Sequence, residues 1–184
     1  MRFSIEEAKK HFKGKQVTCA EIGSCIGNNA KKMLDTWDGL SKLYLVDSFD
    51  TCPDFKDPAE QEKNKKSLLD RFKDEPRVKI ILKKSVETAK RFKDESIDFI
   101  YIDANHTYKA VMDDVTAWTP KVKKGGIIGG HDYEYFCPTT NTRSVKDAVD
   151  EFYGKENINC GIVVMTVDYD SLVLSVSCDW WVYI

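Results

Sequence analysis

The sequence predicts an α/β fold in which a mostly parallel sheet is covered by helices on both faces. Short apolar runs of strand length alternate with stretches of helix length through the first five strands. Most of those runs are rich in β-branched or aromatic residues and are too short to be helices. After Gly154 the helical stretches stop and only strand-like runs follow. That change of pattern places an antiparallel pair at the sheet edge.

Taken in order, a first helix is expected from Ser4 to about Phe12, with Ser4 as the cap and Glu7 completing a capping box. The parallel strands are expected at Val17 to Ile22, Leu43 to Val46, Val78 to Leu82, Phe99 to Ile102 and Ile127 to Gly129. Between and after them, helices are expected at Asn29 to Trp37, about Ala59 to Phe72, Val86 to Phe92, Tyr108 to Trp118 and Val145 to Tyr153. Ser144 with Asp147 resembles a second capping box, and Gly154 stands where that helix should stop. Three terminal runs remain: Ile162 to Val167, Ser171 to Val176 and Trp180 to Ile184, the first two parted by a turn at Asp168-Tyr169-Asp170. Right-handed crossovers restrict the topology further.

A chain of 184 residues fits one compact domain, 1–184, without disulfide or metal staples. With 42% hydrophobic and 32% charged residues it has the composition of a soluble globular protein. A net charge of −2 gives no global reason to expect nucleic acid as partner, and the Lys63/Lys65/Lys66 and Lys121/Lys123/Lys124 clusters read as solvated faces. No apolar run approaches the roughly 20 residues of a membrane span, and the charged start does not resemble a signal peptide. The six cysteines show no C-x-x-C spacing. Cys19, Cys160 and Cys178 fall in strand-like runs, where a free thiol behaves as a small apolar group. A reducing, cytoplasmic compartment follows as the expectation.

Ligands of open parallel sheets bind beyond the carboxyl ends of the strands. The first such end reads Glu21-Ile22-Gly23-Ser24-Cys25-Ile26-Gly27, a glycine turn running into a helix start. A pyrophosphate-binding turn wants G-x-G-x-x-G, whereas Cys25 stands at the middle glycine position here. The acid at Glu21 suits a cationic ammonium better than a phosphate. Asp47 closes the second strand twenty residues after Gly27, where an acid can accept both hydroxyls of a ribose or simply cap the following turn.

With these features the chain resembles the class I S-adenosylmethionine-dependent methyltransferases, and among them methyltransferase domain family 24. The resemblance runs from about Val17 to Trp181. Its most specific stretch is Ile97-Asp98-Phe99-Ile100-Tyr101-Ile102-Asp103-Ala104-Asn105-His106-Thr107-Tyr108, followed by Asp113-Asp114, then by Gly125 to Tyr133 and Val145 to Phe152. It implies a Rossmann-like three-layer sandwich whose seven-stranded sheet ends in a reversed hairpin. It also implies S-adenosylmethionine as cofactor. Glu21, Gly23 and Gly27 would lie at its methionine end with Ser24 in the same turn, Asp47 at the ribose, and Ser85 and Val86 beside the adenine. Lys83 and Lys84 stand where relatives often carry Gly or an acid, and Ser144 replaces a common Gly.

Two further strand ends carry the candidate chemistry. Asp103 ends the fourth strand with His106 three residues on, and His131-Asp132 follow the glycine-rich fifth strand. Methyl transfer from a sulfonium needs no strong acid, because a neutral thioether leaves. It needs an in-line nucleophile that loses its proton easily. His106 or His131 can serve as base. Alternatively Asp103, His131 and Asp132 can hold a divalent cation, with oxygen ligands suiting Mg²⁺ or Ca²⁺ and the His tilting the choice towards Mn²⁺, Fe²⁺ or Zn²⁺. Proximity alone is the third possibility, with Asp103 contacting the cofactor or capping a helix. Tyr133 to Arg143 and Ser48 to Asp57 are expected to shape the acceptor pocket. His11 reads as a surface residue, and Trp180 and Trp181 as packing on an edge strand. The function expected is methyl transfer to a hydroxyl oxygen of a small molecule or sugar. The rivals are a non-catalytic S-adenosylmethionine-binding subunit and a nicotinamide oxidoreductase.

Overall fold

The computed structural model describes residues 2–52, 56–134, 143–168 and 173–184, with 162–168 and 173–177 described by their backbone alone. Among the described residues, β1 (Val17–Ile22), β2 (Leu40–Val46), β3 (Val78–Ile81), β4 (Ile97–Ile102), β5 (Val122–Gly130), β6 (Asn159–Asp168) and β7 (Val173–Tyr183) form one sheet. Its order is β3-β2-β1-β4-β5-β7-β6. The first five strands pair in parallel, and β7 runs antiparallel to both β5 and β6.

Alternating side chains along the strands feed two separate cores, one on each face. Val17, Cys19, Leu43, Leu45, Phe99 and Ile127 pack under α1 (Phe3–His11), α2 (Asn28–Thr36) and α3 (Pro58–Phe72). Ala20, Ile22, Ile100, Ile102, Ile128 and Trp180 pack under α4 (Ser85–Ala89), α5 (Tyr108–Trp118) and α6 (Ser144–Tyr153). The near-continuous burial of β1 and β4 is what a doubly covered strand requires.

The expected fold class is therefore the observed one, and α5 has the expected bounds. Elsewhere the ends shift. β2 starts earlier because polar Ser41 and Lys42 still join the ladder, with the Ser41 hydroxyl donating to the Val17 carbonyl at 2.8 Å. β5 likewise begins at Val122, ahead of the two lysines that hid it. The three terminal runs become two long strands, since Ser177, Cys178 and Asp179 pair with β6 instead of interrupting the pattern. Asp168 belongs to β6, and 169–172 lie outside the described residues. β7 is flanked on both sides, so Trp180 is a buried core residue and not an edge-strand one. Cys19 and Cys178 are buried as expected, whereas Cys160 is exposed. His11 lies on the surface.

Neither expected capping box forms. The cap of α6 is Arg143. The cap of α1 is Arg2, and Ser4 lies inside the helix, fully buried. Both the amide and the hydroxyl of Ser4 donate to Oδ2 of Asp179 on β7, at 3.0 and 2.9 Å. A side chain from the far end of the chain thus satisfies an N-terminal amide that the local sequence leaves open. No helix among the described residues is long and apolar enough to cross a membrane.

The ladder does not stop at the strand ends. The Gly23 amide donates to Val46 O at 2.8 Å, Asp47 to Ile81 O at 3.2 Å, Asp103 to Ile22 O at 2.8 Å and His131 to Ile102 O at 3.1 Å. These four residues stand side by side at one edge. The chain also reverses direction there, since β2 and β3 step outward on one side of β1 and β4 returns on the other. A crevice at such a switch point is where ligands of open sheets bind.

Asp179→Ala should leave two buried Ser4 donors unpaired, at a cost of about 1–3 kcal/mol. Thermal unfolding should show it as a Tm drop of about 2–4 °C for each kcal/mol at this chain length. Asp179→Asn keeps an acceptor oxygen and sheds a buried charge, so it should lose less. An Ala variant as stable as the wild type would show that this bond does not hold α1.

Candidate active site

Beyond the carboxyl ends of β1, β2 and β4 lies a cavity of about 560 Å³. Gly23, Asp47, Ser85, Val86 and Asp103 line it, together with Asp50, Cys25, Cys52, Ala104, Asn105, Ala110, Asp113 and Asp114. Asp47 is held rigidly, its Oδ2 accepting the Cys25 amide at 2.9 Å and its Oδ1 the Phe49 amide at 2.8 Å. Burial raises its pKa, and those backbone hydrogen bonds oppose the rise. It is thus both a turn cap and a cavity wall, since each carboxylate oxygen retains a lone pair for a further donor. Gly23 has a φ of +85°, and a Cβ there would strike the backbone of Asp103 and Ala104. A bare residue is required where the β1 and β4 ends meet.

Glu21, Ser24 and Gly27 are not on the cavity wall. Glu21 shares the face of Val17 and Cys19, so strand alternation turns it under α1 and α2, 1% exposed. Ser24 is buried, and its hydroxyl donates to the Glu21 carbonyl at 3.3 Å. Gly27 caps α2 with a φ of +76°, and a side chain there would collide with Phe72 and Leu68 of α3. The glycine is required by helix packing, in place of the expected close approach of a ligand.

Asp103 joins the cavity to a polar cluster. His106 Nε2 lies 3.2 Å from Asp132 Oδ2 and 3.6 Å from Asp103 Oδ1. His131 Nδ1 lies 3.0 Å from Asp132 Oδ1 and 3.9 Å from Asp103 Oδ1. Burial opposes ionisation of Asp132, but the hydrogen bond and charge of His131, with His106 and Arg2 behind them, leave its pKa lowered. Asp132 also carries a φ of +57°, a conformation costing a non-glycine residue about 1–3 kcal/mol. Asp103, His131 and Asp132 each offer one donor atom within 4.8 Å of the others. Two carboxylates and an imidazole so placed fit a divalent cation.

Several residues here escaped the sequence reading. Arg2 reaches from the α1 cap to Asp103 Oδ2 at 3.6 Å and to Asn29 Oδ1 at 3.3 Å. Asn29 in turn faces Asp103 at 3.5 Å. Lys84 pairs with Asp50 at 3.9 Å, one from each side of the cavity. Asp113 and Asp114 stood inside the most specific stretch without a role. Nothing local marks Arg2, because only the docking of α1 on β7 brings it here. Of the two loops expected to shape the acceptor pocket, Ser48, Asp50, Thr51 and Cys52 line the cavity, while 53–55 and 135–142 lie outside the described residues.

A sheet in this order, its last strands reversed and its acids level at one edge, is the class I S-adenosylmethionine-dependent methyltransferase fold. Residues 20–133 match the methyltransferase-domain model of the Methyltransf_24 family, and the chain belongs to that family. The O-methyltransferase TomG from Streptomyces achromogenes, solved in complex with S-adenosylmethionine, is 11% identical over 99% of this chain and 78% of its own, with a TM-score of 0.67. An rRNA methylase from Streptococcus thermophilus is 13% identical over 99% and 95%, with a TM-score of 0.65. Spermidine synthase from Thermotoga maritima is 16% identical over 95% of this chain and 56% of its own, with a TM-score of 0.64. At these identities the likeness carries the fold alone, and it spans small-molecule and RNA enzymes, so it lends no support to the expectation that nucleic acid is not a partner. No curated protein sequence matches the chain.

Burial, then the charge of Asp103, raises the Glu21 carboxyl from 4.5 to about 8. The folded protein thus holds a proton that the unfolded chain releases, so this contribution to stability is complete below pH 4.5 and is lost as pH rises towards 8. Ligand-free Glu21→Gln should therefore gain Tm over the wild type as pH is raised from about 5 to about 8. Parallel melting curves across that range would show that Glu21 is ionised in the fold.

Proposed function

We propose that the chain, acting as one domain over 1–184, transfers the methyl group of S-adenosylmethionine to a hydroxyl oxygen of a small molecule or sugar. The observation that carries this reading is the pair of carboxylates at the level ends of β2 and β4. Asp47 is locked by backbone amides and faces a cavity of nucleoside size, and Asp103 stands at its junction with the two histidines. Asp47 would accept the ribose hydroxyls, and the α4 start at Ser85 and Val86 would flank the base. Asp103 and buried Glu21 supply negative potential for the sulfonium and ammonium, with Gly23 giving close passage. Ser24 and Gly27 would support this turn from beneath it.

His106 is the best-placed base. Its Nε2 faces both carboxylates, so the proton rests on Nε2 and the other ring nitrogen takes the acceptor's proton. Asp132 and Asp103 would then stabilise the imidazolium that forms. Asp103, His131 and Asp132 would hold a divalent cation, which when bound would lower the pKa of an acceptor hydroxyl. Cys25 and Cys52 line the cavity as free thiols, which supports a reducing compartment, the cytoplasm.

S-adenosylhomocysteine at about 100 times its Kd should stabilise the fold by about 2.7 kcal/mol, whereas NAD should give no shift. Asp47→Ala should reduce that shift. A thermal shift with NAD and none with S-adenosylhomocysteine would sink the methyltransferase reading.

Turnover assays with labelled cofactor on sugars, catechols and amino alcohols would then separate the two means of activation. With His106 as base, His106→Ala should lower kcat by about 10²–10⁴-fold at neutral pH, and chelation should change little. With a catalytic cation, chelation and Asp132→Asn should both suppress turnover while S-adenosylhomocysteine binding persists. Full activity in protein shown metal-free by elemental analysis would exclude the cation.

A further inference from the structure

Resting on the cofactor assignment above, we infer that Asp114 reads the exocyclic amino group of the adenine and so makes this site select adenine over other purines. Past Asp47 the cavity is closed by α4 and α5, where Val86, Ala104 and Ala110 supply apolar wall. A flat base fits such a slot, but its edge donors need a partner there. Asp114 is the group in position to be one. It lines the cavity and is only 5% exposed.

Its neighbour Asp113 is occupied elsewhere, bound to Lys109 Nζ at 2.6 Å on the outer side of α5. Asp114 is instead tied into a short polar chain. The indole N–H of buried Trp118 donates to Ser85 Oγ at 2.8 Å, and the Ser85 hydroxyl hydrogen-bonds Asp114. Burial raises the Asp114 carboxyl to about 6, with the Ser85 bond opposing the rise. The carboxylate is thus held by one donor, with further lone pairs able to accept. An acceptor-only group beside an apolar slot favours a ligand edge that carries N–H. Adenine presents an amino group at that edge, whereas hypoxanthine and guanine present a carbonyl oxygen, which the carboxylate repels. A site built to pair with a ligand N–H rejects an analogue lacking it, because its own buried polar group is then stranded.

Calorimetric titration tests this with S-adenosylhomocysteine, its inosyl analogue (carbonyl in place of the amino group) and its purine-riboside analogue (hydrogen in that place). The wild type should bind S-adenosylhomocysteine at least about tenfold more tightly than either analogue. Asp114→Ala should lose that preference over the purine-riboside analogue, leaving the affinity for the analogue itself nearly unchanged. Asp114→Asn, of the same shape and able to donate as well as accept, should narrow the gap to the inosyl analogue and serves as the folded control. Equal wild-type binding of all three ligands, or an equal loss on all three in Asp114→Ala, would overturn the role of Asp114 while leaving the cofactor assignment standing. No wild-type binding of any of them would overturn both.

Discussion

The backbone ladder that ties β1 to β2 on one side and to β4 on the other sets everything at the site. Ile22 pairs level with Val46 and with Ile102, and Ile102 with Gly130. The residues that follow therefore emerge at one height whatever their own preferences. Gly23, Asp47, Asp103 and His131 each make one more ladder bond before the chain turns away. Their placement is inherited from the most buried part of the molecule, where every backbone group must be paired. Loops alone would not hold acids to that tolerance.

That edge is strongly acidic, and the acids are differentiated by their surroundings. Asp132 is kept ionised by the histidines beside it, while burial pushes Glu21, Asp47 and Asp114 towards the neutral form. A cationic ligand entering such a site gains from every one of them, because each carboxyl it ionises strengthens its own attraction. Arg2 is the opposing charge in the ligand-free protein, resting 3.6 Å from Asp103. It arrives through α1, and α1 is anchored by Asp179 at the other end of the chain. The last strand and the first helix thus complete a site whose centre is built from the middle of the sequence.

Periodicity by itself determined the alternation of strands and helices, the change of pattern after Gly154 and the helix Tyr108–Trp118. Those features rest on local apolar spacing that a buried strand or a half-buried helix must show. The level acids were legible too, because Asp47 and Asp103 each end an apolar run, and an acid cannot continue into the core. Tertiary structure alone decided what faces what. Strand alternation turned Glu21 under the helices, although its position in the turn suggested a ligand contact. Packing against Phe72 and Leu68 accounts for Gly27. A carboxylate 175 residues away, and not Glu7, bonds the start of the first helix. Arg2, Asn29 and Asp114 carry no local mark of a site, since their positions come from helices docking on a sheet. Capping boxes and glycine turns are read over a few residues, whereas these contacts join positions tens to hundreds of residues apart, and only the folded register brings them together.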